Sequence, residues 1–537
     1  MEKISNSSND DIINQANILL HQGKFEEALI LLLPYKNDKF SLPIMTLIGI
    51  AYAGCKKPKE AAYHLFSAQQ LKEKSYQHVC SELEPYLGSY NLYDVIFKVF
   101  KEAFKYQPED ELLYIAYANV LQHTKQSSKA ILYIKKCLKF SKKEDWLLNI
   151  LATIFFEAGK YPQAFKLYKD LEQRNPNNIT VLANIASYYN AINDAEQALL
   201  YYCKVIMLNP LWPAIRVNYS LCLLKAQYYY QGWAEHEYRL DTPNHTNLPR
   251  ETLLPTLTKT TDIKGKKILI TQEEGLGDTL MYLRFVPELI QRGAIVELWV
   301  AETMKGLCER IKGNPIVKIG GEEAPPFDWH CPFISLPRVF SADPNKVKFK
   351  PYLTAARKKI NFWKKQLPQT QNLKVGIVWG GSPHPSDAYA VMTDNKRSID
   401  LQKLIPLFRS VKNATFISLQ MGHHAHEIND LPKNISIFNP MNEVKDMDDT
   451  AAIIKNIDLV ISVDTSVIHL AGGLGCKAIL LDRYDNCWRW ISGAEYSPWY
   501  PKTRIIRQTR PRIWSDVVQR AISILQEMAD KHEPRTT

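Results

Sequence analysis

Long apolar runs are missing from this 537-residue chain, and no stretch approaches the roughly 20 residues that span a bilayer. The nine cysteines are scattered from Cys55 to Cys487 without one C-x-x-C pair. That spacing offers neither a zinc site nor a disulfide framework, and it fits a reducing compartment. The opening residues, Met1-Glu2-Lys3-Ile4-Ser5-Asn6, are polar and lack a signal-peptide layout, so a cytoplasmic protein is expected. Concentrated positive charge is absent too. The formal net charge of +11 is diluted over the whole length, and the basic residues are not interleaved with aromatics as in RNA-binding modules. Acidic ligands in general are favoured, and nucleic acid is not an expected partner. What is present, 46% hydrophobic and 23% charged residues, is the composition of a globular protein with roughly three to four domains.

The first half repeats itself. Ala130, Ala164 and Ala198 lie 34 residues apart, as do Pro176 and Pro210, and Pro108 falls two periods before Pro176. A 34-residue period of paired helices is the tetratricopeptide signature. The clearest unit, 146–178, carries Ala152, Phe155, Gly159, Tyr161, Ala164, Tyr168 and Pro176 at the expected offsets. The next has Ala186, Tyr189, Ala198, Tyr202 and Pro210; earlier units are marked by Gly23, Phe25 and Ala28, by Gly49, Tyr52, Ala61 and Ala68, and by Tyr93, Ala103 and Pro108. About seven units are expected over residues 9–241, forming a superhelix whose concave face holds an extended peptide or a partner protein. The competing reading is that the repeats only make a homo-oligomer or brace the second half. Tyr228-Tyr229-Tyr230 and Trp233 are expected to cap the solenoid and meet the next domain. Residues 242–264, rich in Thr, Pro and Asn, read as a linker wrapped along the surface.

Strands and helices alternate from there on. Strands are expected at 266–271, 295–300, 316–319 and 333–336, and again at 373–379, 415–419, 435–438, 459–463 and 478–481. Helices are expected at 279–291, 401–410 and 448–456. Such alternation implies parallel sheets with right-handed crossovers. The two series fall into Rossmann-like domains at 265–368 and 369–512, with a helix at 513–532 packing back across the pair.

One stretch organises this half. Leu459 to Val463 is a buried-strand run, Asp464-Thr465-Ser466 follows, and apolar and small residues lead to Gly475. Strand, turn and helix place free backbone N–H groups where open α/β sheets bind ligands, which suits a phosphate. An ordinary Asp/Thr/Ser helix cap is the plainer alternative.

These residues carry a resemblance. Gly275-Leu276-Gly277-Asp278, with Asp464-Thr465-Ser466 and His469, resembles the ADP-heptose:lipopolysaccharide heptosyltransferases, glycosyltransferase family 9. A group of bacterial proteins that fuse tetratricopeptide repeats to such a domain is similar in Gly232-Trp233, Trp379-Gly380-Gly381, Arg397-Ser398-Ile399, Trp488-Arg489-Trp490 and Ser497-Pro498-Trp499-Tyr500-Pro501. The resemblance covers nearly the whole chain. It implies the GT-B fold, in which two Rossmann-like domains enclose a cleft. It also implies inverting, metal-independent transfer of a sugar from a nucleotide donor to a protein or glycan acceptor, with no other cofactor.

The resemblance puts the family's catalytic aspartate at Asp278, as base for the acceptor hydroxyl; a cap for the helix at Thr279 is the competing reading. The donor is expected on Gly275, Gly277, Trp379, Gly380, Lys396, Arg397, Asp464, Thr465, Ser466 and His469. Arg397 is the favoured phosphate ligand, because guanidinium binds phosphate bidentately; a solvated cation is its alternative. Trp379 either lines the cleft or sits in the core, and His469 reads as structural rather than catalytic. The pair Trp488-Arg489-Trp490 and Trp499-Tyr500 either shapes a base or acceptor pocket or pins the chain's return to the first domain. His384, His423, His424 and His426 invite a metal site, but adjacent histidines cannot share one helix face, so no metal is expected. The first α/β domain is short for its family, so the donor is not carried over as ADP-heptose. A non-catalytic repeat scaffold with a degenerate transferase domain is the alternative function.

Overall fold

In a computed structural model, residues 9–35, 41–72, 77–242, 245, 248–321, 323–382 and 388–533 are described. Compactness divides the chain into two units, 1–175 with 383–395, and 176–382 with 396–537.

The repeat is written in the turns as well as the helices. Each turn between paired helices passes through a left-handed residue: Gly23, Lys56, Asn91, Lys125, Gly159, Asn193 and Gln227. At each, the next amide reaches back six residues inclusive to close the helix, as Lys24 N–H to Leu19 O at 2.9 Å, Lys160 to Phe155 at 2.8 Å and Tyr228 to Leu223 at 2.8 Å. This is the Schellman cap, and only two of the seven use glycine. Small residues sit where the helices cross. Ala130, Ala164 and Ala198 are wholly buried, and Gly232 takes the same place one period on, where a β-carbon would lie 2.6 Å from Leu224 Cδ2. The first unit holds five helix pairs, from Asn9–His21 to Tyr161–Arg174; the first helix of its third pair is broken into short pieces between Val79 and Tyr90.

The second unit holds the last two pairs, Ile179–Ala191 with Ala195–Leu208 and Pro213–Lys225 with Tyr229–His236, together with two parallel sheets. The first sheet comprises β1 (Lys267–Thr271), β2 (Ile295–Val300), β3 (Ile316–Ile319) and β4 (Trp329–Pro332) in the order β3-β2-β1-β4. The second comprises β5 (Leu373–Val378), β6 (Ala414–Ser418), β7 (Leu459–Ser462), β8 (Ala478–Asp482) and β9 (Thr503–Arg507) in the order β6-β5-β7-β8-β9. Every pairing is parallel. The order reverses beside β1 in one sheet and between β5 and β7 in the other, and such switch points open crevices at the carboxyl ends of strands.

Several expected elements differ. Residues 333–336 are not a strand: β4 ends at Pro332, and Phe333–Ser335 turns into a 3₁₀ helix leading to the Pro337-bearing helix Leu336–Val339. The expected strand at 435–438 shrinks to one bridge between Ile417 and Phe438, closed in by a turn from Pro432. The helix expected at 279–291 is broken at Leu283–Phe285 before Pro287, and the one at 401–410 opens as 3₁₀ before Pro406. Strand β9 has only two central apolar residues and was not anticipated. Residues 248–264 run along the first sheet: Leu253 bridges His330 beside β4, and Leu254 and Ile263 are buried. The helix Ser515–Asp530 packs Val517, Val518, Ala521, Leu525 and Ala529 into the core of the second sheet rather than lying across both.

Trp233 joins the last helix pair to the first sheet. It is buried, stands edge-on to Trp488 at 5.0 Å, and donates its indole N–H to Ala342 O at 2.8 Å. Trp233→Ala is expected to cost about 3–5 kcal/mol, since it leaves a cavity and an unpaired carbonyl. A guanidinium midpoint that matches the wild type, read by tryptophan fluorescence, would contradict this anchoring role.

Candidate functional site

The two switch points meet inside the second unit. After β1 the chain turns through Gly275, and the helix Leu276–Tyr282 begins; after β7 it turns through Asp464 and Thr465 into the helix Ser466–Gly473. A β-carbon on Gly277 would lie 3.0 Å from His469 Cδ2 and 3.6 Å from Ser466 Cα, so the two helix starts touch at backbone distance. Gly275 needs no such licence. Its φ is −63°, and the nearest atom to an added β-carbon is Asp278 Oδ2 at 3.8 Å.

Neither helix start is capped by a side chain. Thr465 Oγ1 pairs with Ser462 Oγ at 3.0 Å instead, so the first-turn amides of Ser466–Gly473 keep the exposed dipole end that attracts anions. Asp278 does not cap its helix either. Its carboxylate takes the Arg489 guanidinium from the loop after β8, in a pair whose side chains keep 17% and 18% of their surface. Burial pushes the Asp278 carboxyl above the ordinary aspartate range, and Arg489 pulls in the opposite direction. Burial disfavours the Arg489 charge, but Asp278 holds the guanidinium firmly protonated.

Arg397 lies on the same side. Its Nη1 donates to Asp464 O at 3.1 Å and its Nη2 to Ser382 O at 3.5 Å. The Asp464 charge is felt by both Asp278 and Arg489. Lys396 points to Asp485, 3.7 Å away in the loop after β8. The structure therefore gathers Gly277, Asp278, Arg397, Asp464, Thr465, Ser466 and His469 where β1 and β7 end, and Lys396 reaches Asp485 in the loop after β8.

His469 and Trp379 are packing residues. His469 lies flat against Trp490 at 5.2 Å and pairs with Tyr500 Oη at 3.1 Å. Burial lowers its pKa to about 3, so it stays neutral. Trp379 is wholly buried in the second sheet's core, which settles that alternative against a cleft-lining role. The backbone N–H groups of Trp379 and Gly380 both bind Gln420 Oε1, at 3.0 and 2.8 Å, and a β-carbon on Gly380 would strike His424 at 2.3 Å. His424 pairs with Glu427 at 2.6 Å and His426 with His423 O at 2.6 Å; His384 lies outside the described residues. Among the described residues no His, Cys, Asp and Glu group is arranged to hold a metal ion.

Three groups escape a reading of sequence. Arg489 sits between two tryptophans, a setting that reads as packing. Arg284 lies within 5.0 Å of the rings of Tyr352, Trp499 and Tyr500 and donates to Trp499 O, tying the first sheet's helix to the second sheet's loop. Asp482 ends β8, is 1% exposed, takes Arg507 Nε at 2.7 Å, and has one oxygen without a partner.

No family model matches the chain. It is similar to Protein FlbA of Caulobacter vibrioides, 23% identical over 442 residues, 77% of this chain and 72% of that protein. It is also similar to the TPR repeat-containing protein MJ1428 of Methanocaldococcus jannaschii, 27% identical over 206 residues, which span 38% of this chain and 30% of that relative. Among solved structures, a tetratricopeptide repeat protein from Parabacteroides merdae aligns with 45% of this chain and 94% of its own, at 13% identity and a TM-score of 0.29.

Burial pushes the Asp482 carboxyl up to about 6, against the pull of Arg507. A carboxyl raised on folding stabilises the fold fully below the unfolded aspartate pKa of about 4, and that contribution is lost as pH rises through about 6. The shift corresponds to about 2–3 kcal/mol. Denaturation of the wild type and of Asp482→Asn at both ends of this window should differ by that amount, the variant losing less on going to neutral pH. Equal slopes would rule the contribution out.

Proposed function

We propose that this tetratricopeptide-repeat protein uses its two-sheet part as an inverting, metal-independent glycosyltransferase of the GT-B arrangement. The donor is a nucleotide sugar, and the repeats present a protein or glycan acceptor. The observation that carries the reading is the contact of Gly277 with Ser466, which sets the Asp278 carboxylate beside an uncapped helix start. In this reading the donor's diphosphate lies on the Ser466 amides and Arg397. Asp278 takes the proton of the acceptor hydroxyl as its oxygen attacks the anomeric carbon. The bond from that carbon to the diphosphate oxygen breaks, and the nucleoside diphosphate leaves with its charge held by those donors. A carboxyl pushed up by burial is a better proton acceptor than a free aspartate, once the acceptor has displaced part of the Arg489 contact.

A second reading has its own support. One relative, 27% identical over 206 residues, is a TPR repeat-containing protein. Asp278 is already neutralised by Arg489. In this reading the chain is a scaffold, the repeats hold a partner protein, and the sheets serve as their support. The comparisons favour it more directly than they favour catalysis.

Incubation with a panel of nucleotide sugars separates the two. Transfer or donor hydrolysis is expected with the wild type. Asp278→Asn should lower kcat by about 10²–10⁴-fold while donor affinity is kept. A folded wild type that neither binds nor turns over any donor leaves the scaffold reading in possession.

A further inference from the structure

A buried lysine in the last repeat has no place in either reading. Lys225 closes the helix Pro213–Lys225 and is 7% exposed. Its ammonium donates to the Asn190 carbonyl at 2.7 Å, and among the described residues it forms no ion pair. A buried ammonium whose one hydrogen-bond partner is a neutral carbonyl is costly, and the charge of Asp485 offsets that cost only in part. Burial accordingly lowers its pKa, to about 8.

Its surroundings carry charges of both signs. The loop after β8 brings Arg483 and Asp485 near it, and the carboxylate of Asp485 feels Arg483, Lys396, Arg512 and Lys225 together. Arg483 Nε and Lys396 Nζ each lie 3.7 Å from Asp485, on opposite oxygens. Asn193, from the turn of the preceding repeat, donates to Tyr484 O at 3.2 Å and holds this loop against the repeats. Four cations thus act on one carboxylate, two of them from 3.7 Å. The side chains of Lys396, Arg483 and Asp485 keep about 15% of their surface.

We propose that this cluster is an oxyanion site for a phosphate or diphosphate group, with Lys225 as a ligand supplied by the repeat domain itself. Phosphate matches the cluster because it accepts from ammonium and guanidinium groups at once and offsets their charge. The site goes beyond sugar transfer, since an oxyanion would bind here whether or not a sugar is moved. It gives the last repeat a chemical role next to the sheets rather than a bracing one.

Calorimetry on the full chain with inorganic phosphate, pyrophosphate, ADP, GDP and UDP tests it. Pyrophosphate or a nucleoside diphosphate should bind the wild type, and the tighter of the two names the source of the phosphate. Lys225→Met should weaken that binding about tenfold or more, the effect of one lost charge-assisted bond, and Lys225→Arg should retain it. Lys396→Gln should weaken it as well, and it reads the same cluster should Lys225→Met fail to fold. Binding unchanged in a folded Lys225→Met or in Lys396→Gln overturns the site, as does a wild type that binds none of these anions. Loss of nucleotide-sugar turnover with anion binding intact would instead count against the transferase reading alone.

Discussion

The second unit is built around one backbone contact, Gly277 against the first turn of the Ser466 helix. Any larger residue at 277 would have to push His469 aside, and His469 is fixed by Trp490 and Tyr500. That contact brings the carboxyl ends of β1 and β7 together and decides which side chains share a crevice. Two uncapped starts brought together leave backbone amides without side-chain acceptors at one place in the fold.

Cations and aromatic rings hold that contact in place. Arg284 threads between Tyr352, Trp499 and Tyr500, and Arg489 lies over Trp488 while its far end meets Asp278. Guanidinium suits this duty because its flat face stacks while its edge donates. The same Arg489–Asp278 pair decides between the two functional readings. As a permanent ion pair it is structural reinforcement; as a pair that opens for a hydroxyl it is a latch on a base.

The repeats were legible because their signal is periodic and redundant. Ala130, Ala164 and Ala198 could each be lost among the alanines, but their equal spacing could not. The left-handed turns were less legible, since Lys56, Lys125 and Gln227 fill a conformation usually flagged by glycine. Buried parallel strands such as β5, β7 and β8 announced themselves as apolar runs. The edge strand β9 did not, because Ile505 and Ile506 are its only two apolar residues and its pairing is fixed by β8. The breaks at Pro287 and Pro406 are hidden because the amphipathic pattern runs through the proline. Within the site, Asp278, Thr465 and Ser466 stood out by position after a strand. Arg489, Arg284 and Lys225 did not, because their roles depend on neighbours more than 100 residues away in the chain.

The last helix pair is tied to the crevice by charge as well as by packing. Arg239, just after that pair, is 2% exposed and donates to Glu273 at 2.8 Å, to Glu237 at 2.9 Å and to Ser335 at 2.7 Å. Glu273 stands two residues before Gly275, so the guanidinium grips the start of the turn that carries Asp278. Burying one arginine between two carboxylates gains little net stability over an apolar contact of the same size, but it tolerates only one arrangement of its partners. A displacement of the seventh repeat would therefore have to move the turn with it or leave Glu273 buried without its cation. On these grounds the last repeat and the β1 turn are tied to one another by a single buried guanidinium.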